Sequence, residues 1–295
     1  LDYKLNYTRV NEAVKKRIPN KTEQSRRPEN IIEAWNAHSG NSADINMILL
    51  NLLSKAGIKC HPLLISTRDN GRISIDFPSF GQLNGLDVLV QVDSSEIYVL
   101  DASLKFQSVH NPPLNILNRE ALLLKPDNVD WFYVNDGRPL MKQTMSIFCD
   151  MDSSGIISGQ ASIQHYDFAK SYMLDSNIED NDDKKEKFLD KKLPGLKILS
   201  AKKEITASDE DPLFESVEFT YEPQNSDKFY FINPQFLSVV RKNQFVAKER
   251  KTDIDMGCNQ EFVSTISMSF SDIYEVDHLP KNIVVRAPDS SFSFK

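Results

Sequence analysis

The stretch Ser39–Gly71, SGNSADINMILLNLLSKAGIKCHPLLISTRDNG, spells out a helix, a strand and a turn in that order. Between Ala43 and Ala56, the residues Ile45, Ile48, Leu49, Leu52 and Leu53 recur at helical spacing, and Gly57 stands where helices commonly end on a left-handed residue. Met47 and Leu50 leave little polar face, so this helix is expected to be buried on most sides. Gly40-Asn41-Ser42 leads into it. Serine is a favoured N-cap and Asp44 in the first turn suits the helix dipole, which makes Ser42 a candidate cap. Helix N-terminal amides also stabilise anionic nucleophiles, so Ser42 is a candidate for chemistry too. A serine hydroxyl, however, stays neutral unless a general base adjoins it.

Outward from this stretch, KCHPLLIST (59–67) reads as a strand followed by a turn at Asn70-Gly71. LDVLVQV (86–92) and EIYVLDAS (96–103) form a hairpin around Asp93-Ser94-Ser95, and VDWFYV (129–134) is one more strand. Residues 1–37 are polar and read as short helices broken by Pro19 and Pro28, one of them over 31–38. A helix followed by a mainly antiparallel sheet is an α+β pattern. From about Pro139 the texture changes. TMSIFCDMDSSGIISGQASIQH is a hairpin turning at 152–155, and NIEDNDDKKEKFLDKKLPG predicts a solvated helix ended by Pro194-Gly195. ILSAKKEITA, LFESVEFTY, FVSTISMSF and NIVVRA are short strands of a β-rich, sandwich-like second domain. The division falls at 1–137 and 138–295.

The 295 residues are 40% hydrophobic and 26% charged, which supports a packed core rather than disorder. A net charge of −7 argues against nucleic acid or an anionic membrane as partner. No apolar run reaches the ~18 residues a membrane span needs, so the chain is not expected to be transmembrane. Cys60, Cys149 and Cys258 are far apart, the five histidines are scattered, and HExxH is absent, so no disulfide framework, metal site or cofactor is expected. Calcium held by carboxylates alone stays open. DMDSSG (150–155) resembles the start of a calcium-binding EF-hand loop, but position twelve is Ala161 and strands flank it, which favours a hairpin turn. The acidic run Glu179–Asp183 reads as a helix start rather than a metal site.

GNSADINMILLNLLSKAGI followed by PLLISTRDNG resembles the core of the bacterial transglutaminase-like superfamily, whose fold is related to papain-like cysteine proteases. In that family a Gly-x-Cys motif caps the core helix, a His follows on a strand, and an Asp in a motif like LDAT orients it. The resemblance implies that Ser42 fills the nucleophile slot, that Asp101 in YVLDAS is the orienting acid, and that the His slot falls near Asn84, with Asp87 the nearest other polar candidate. Serine and asparagine then replace Cys and His, and an amide cannot serve as a base. Neither neighbour offers a rescue. Cys60-His61 lies beyond the far end of a helix roughly 20 Å long, and His38 reads as a loop residue. NPQFLSVVRKNQFVAKERKTDIDMG and YEVDHLPKNIVVRAPDSSFSF resemble the C-terminal β-domain that accompanies this group. An N-terminal β-domain usual in the group is not represented, so the chain is expected to be a fragment. The resemblance implies export to the periplasm or beyond. It also implies a catalytically degenerate module of the cell envelope whose cleft takes an extended peptide, a protein segment or a glycan. The rival is an active hydrolase or acyl-transferase working on peptide amides through Ser42 or another nucleophile.

Overall fold

The computed structural model describes residues 4–5, 28–77, 79–93, 96–135, 140–175, 194–204, 210–226, 228–234, 237, 249, 255–288 and 293–294. The chain is α+β and rich in sheet. Lys4–Leu5 (β1) lies parallel to Ser39–Gly40 (β2). Ile31–Ala37 (α1) runs just before β2 and ends on His38, whose φ of 47° is left-handed. Ser42–Lys55 (α2) follows β2 directly.

Local chemistry fixes both ends of α2. Asn41 is the N-cap, and with Asp44 it forms a capping box. The Asp44 amide donates to Asn41 Oδ1 at 2.8 Å, and the Asn41 amide donates to Asp44 Oδ2 at 3.0 Å. Ser42 is therefore the first helical residue and not the cap. Gly40 has a steric reason, since a Cβ there would lie 2.8 Å from Asp44 Cβ. At the other end Lys55 complements the dipole and Gly57 takes φ 78°. Only Ile45, Asn46 and Ile48 of α2 are buried, and Leu52 is 40% exposed. The expectation of burial on most sides is corrected here. One side of the helix packs on a sheet, and α1 touches it as well.

That sheet comprises Cys60–Ile65 (β3), Gly85–Gln91 (β4), Ile97–Leu100 (β5), Arg119–Leu124 (β6) and Val129–Val134 (β7). Its order is β5-β4-β3-β6-β7, antiparallel throughout, and α2 lies against β4 and β3. Leu63, Ile65, Leu89, Val99, Ala121 and Leu123 belong to its core cluster. β6, REALLL, escapes the sequence reading because Leu-rich runs fit helix and strand alike.

A second five-stranded sheet follows. It holds Leu140–Met151 (β8), Ile157–Tyr166 (β9), Leu196–Glu204 (β10), Leu213–Tyr221 (β11) and, after the small hairpin Gln224–Ser226 (β12) and Phe229–Phe231 (β13), Asn259–Phe270 (β14). The order is β10-β11-β9-β8-β14, with β14 parallel to β8 and the rest antiparallel. DMDSSG is the β8–β9 turn, where Asp152 Oδ1 accepts from the amides of Ser154 and Ile156 and Gly155 takes φ 87°. Instead of a second full sheet, Tyr230, Ile232, Leu237 and Tyr274 pack against this core among the described residues. A two-residue pairing of Val285–Arg286 (β15) with Ser293–Phe294 (β16) ends the chain. The solvated helix expected over NIEDNDDKKEKFLDKKLPG, like the acidic run within it, falls almost wholly outside the described residues.

Asp167–Asp175 (α3), unforeseen in the sequence, links the two halves. Its Phe168 joins the core of the first sheet, and Ser171 Oγ donates to the Phe106 carbonyl at 3.0 Å. A second link is Arg68, whose guanidinium donates to the carbonyls of Leu114, Leu117 and Gly257 and pairs with Asp255 at 2.7 Å.

Candidate functional site

Ser42 and Asn46 are one turn apart and share a face of α2. Asn46 is fully buried and saturated. Its Nδ2 donates to Asp101 Oδ1 and to the Leu86 carbonyl, each at 2.8 Å, while its Oδ1 accepts the Ala102 amide at 2.7 Å. Asp101 follows the last residue of β5. Its Oδ1 also accepts from the Ser103 amide at 2.9 Å and the Ser103 hydroxyl at 2.6 Å. One carboxylate oxygen thus holds three donors, an arrangement that anchors a loop and a helix to the sheet. Asn46 was not singled out in the sequence, where a lone Asn in an apolar helix carries no signal. Its signal lies in burial without charge.

Asn84 is not part of this cluster. Its Oδ1 accepts the Thr67 amide at 2.9 Å and its Nδ2 donates to Thr67 Oγ1 at 2.7 Å, closing the base of the β3–β4 loop. The residue that faces Asp101 is Asp87. Val88 pairs with Leu100 in the β4–β5 ladder, so one further step places 87 opposite 101. Asp87 is 1% exposed and its Oδ2 has no hydrogen-bond partner. Burial, and then the charge of Asp101, raise its pKa well above the ordinary carboxylate range.

Among the described residues the Ser42 hydroxyl is hydrogen-bonded to no carboxylate or imidazole. Burial pushes the thiols of Cys60, Cys149 and Cys258 up, which disfavours the thiolate. Cys60 Sγ donates to the Leu50 carbonyl at 3.6 Å, in the C-terminal half of α2 and away from Ser42. An open cavity of about 380 Å³ lies there too, lined by Leu50, Ser54, Cys60, His61, Leu124 and Lys125. Burial, then the charges of Lys59 and Lys125, push the His61 imidazole below its ordinary pKa. Among the described residues no group of three or more His, Cys, Asp or Glu is placed to hold a metal ion. None of their helices is long and apolar enough to cross a membrane.

Compared with family models, curated proteins and solved structures, the chain matched none.

What this arrangement does chemically follows from the residue types. A serine without a base is a poor nucleophile, and a buried carboxyl whose pKa is raised has its charged form disfavoured. The polar cluster fixes α2 on the sheet.

Proposed function

We propose that this chain is a catalytically degenerate transglutaminase-like protein, acting in the periplasm or outside the cell as a binding module of the bacterial envelope. The observation that carries the reading is the state of Asp101. One Asp101 oxygen already accepts from Asn46 and Ser103, and the position across the ladder holds a buried acid, Asp87, instead of an imidazole. The helix-on-antiparallel-sheet order of the first half supports the family resemblance. Recognition needs no base, so such a cleft retains binding when turnover is gone.

An extended peptide is the ligand class favoured. Ser39–Gly40, immediately before α2, is extended backbone that pairs in parallel with Lys4–Leu5, the strand-to-strand mode by which an extended peptide is held. The test uses the full chain and its Ser42→Ala variant against an array of short extended peptides and against peptide p-nitroanilides. Peptide binding shared by both proteins, with no release of nitroaniline, supports the reading. Amide cleavage by the parent that vanishes in Ser42→Ala sinks it and restores the enzyme.

A further inference from the structure

The unpartnered Asp87 Oδ2 is the one fully buried carboxylate oxygen among the described residues without a hydrogen bond. A buried acceptor without a partner is costly and an ionised one more so, so its presence needs an explanation. The neighbours define one. On β3, Leu63 is its ladder partner, and Leu89 lies two residues along β4 on the same face; both are apolar. Past the end of β5 stands Asp101, already holding Asn46 from α2 and Ser103. Among the described residues Asp101 is the one charged group acting on Asp87. Two buried acids thus stand next to each other at the end of the β4–β5 ladder.

We propose that Asp87 and Asp101 form a buried acid pair carrying one proton, held by Asp87, and that loss of this proton on raising the pH loosens the junction of α2 with β5 beneath Ser42. With the proton present, the pair bears a single charge, spread over the donors at Asp101. Without it, two like charges face each other across the ladder, and the segment that yields is the 101–104 turn that follows β5, which side-chain hydrogen bonds rather than the ladder hold in place. The contacts to break are then those of Asp101 with Asn46 and Ser103. Such a junction is a pH-operated release for the N-terminal turn of α2, and it holds whether or not a ligand binds there.

The experiment follows aspartate carboxyl carbons by NMR in the full chain labelled at Asp Cγ, with Asp87→Asn to assign the resonance. Protection factors of the Ala102 and Ser103 amides are read over the same pH series. The expected result is an Asp87 carboxyl still protonated at neutral pH. Its ionisation at higher pH should coincide with a drop of tenfold or more in both protection factors. In Asp87→Asn the drop disappears, and in Asp101→Asn the Asp87 midpoint moves to lower pH. An Asp87 resonance that titrates near the ordinary value of about 4 overturns the proposal. So does a protection loss that persists in Asp87→Asn. Should Asp101→Asn fail to fold, the Asp87→Asn comparison decides alone.

Discussion

Asn46 Nδ2 donates to Asp101 Oδ1 at 2.8 Å across 55 residues of chain, and the same amide group ties the Leu86 carbonyl of β4 to α2. One neutral side chain therefore joins the helix to two adjacent strands. A neutral amide serves better here than an acid or a base would, since it supplies both a donor and an acceptor in a site where a second charge would be unpaired.

Asn46→Ala should be among the most destabilising single changes in the first half. It orphans the Leu86 carbonyl and the Ala102 amide and removes a donor from Asp101, for a loss of roughly 3 kcal/mol or more. Urea denaturation should show a lower midpoint with little change in slope. A loss under 1 kcal/mol would mean that water replaces the amide.

The capping box separates Asn41 from Ser42. Asn41→Ala should cost about 1 kcal/mol, because the Asp44 amide loses its acceptor. Ser42→Ala, at the first helical position, should stay within about 0.5 kcal/mol. Thermal melts of the two variants side by side check the contrast, and equal losses would return the capping role to Ser42.

Asp87 should make the fold less stable as pH rises. Its native pKa is raised by burial and by Asp101, so the native state keeps a proton that the unfolded chain releases near pH 4. The unfolded state then binds fewer protons and stability declines with pH until the native group also ionises. Asp87→Asn should flatten this slope and leave the protein at least as stable at pH 7. Denaturation curves collected from pH 4 to 9 provide the measurement; a steeper slope in the variant would contradict the assignment.

Arg68 and Asp255 should bind the two halves together most firmly above the acid range. Burial pushes the Asp255 carboxyl up, but the Arg68 hydrogen bond, the Gly257 amide and the charges of Arg68 and Arg72 outweigh it and hold the carboxyl below its ordinary value. The contribution is present above the unfolded value of about 4 and lost as pH falls through the lower native one. Arg68→Ala should cost roughly 2 kcal/mol, since the Leu117 carbonyl loses its donor as well, while the Leu114 and Gly257 carbonyls keep the Leu117 amide and Asn118 Nδ2. Limited proteolysis near Asp255 should accelerate in this variant; an unchanged digestion pattern would show that Phe168 and the α3 contacts suffice.

Local chemistry decided much of this protein within its own sequence. The apolar period of α2, Gly57 beyond its end, the 129–134 strand and the DMDSSG turn are written in short-range spacing, and each is found where that spacing places it. Ladder register is different, because it depends on residues far apart in the chain. Counting along the sequence put the slot facing Asp101 near Asn84, whereas the pairing of Val88 with Leu100 brings Asp87 there and frees Asn84 to close a loop with Thr67. A slip of a few residues within one loop is invisible in composition yet changes an amide for an acid. The one-sided burial of α2, the parallel seating of β14 on β8 and the bridging role of Phe168 were likewise settled by packing. Helix period and turn chemistry act over a few residues and can be read in one dimension. Which side chains share a buried site, and so which acid has its pKa raised, is fixed only when distant strands align.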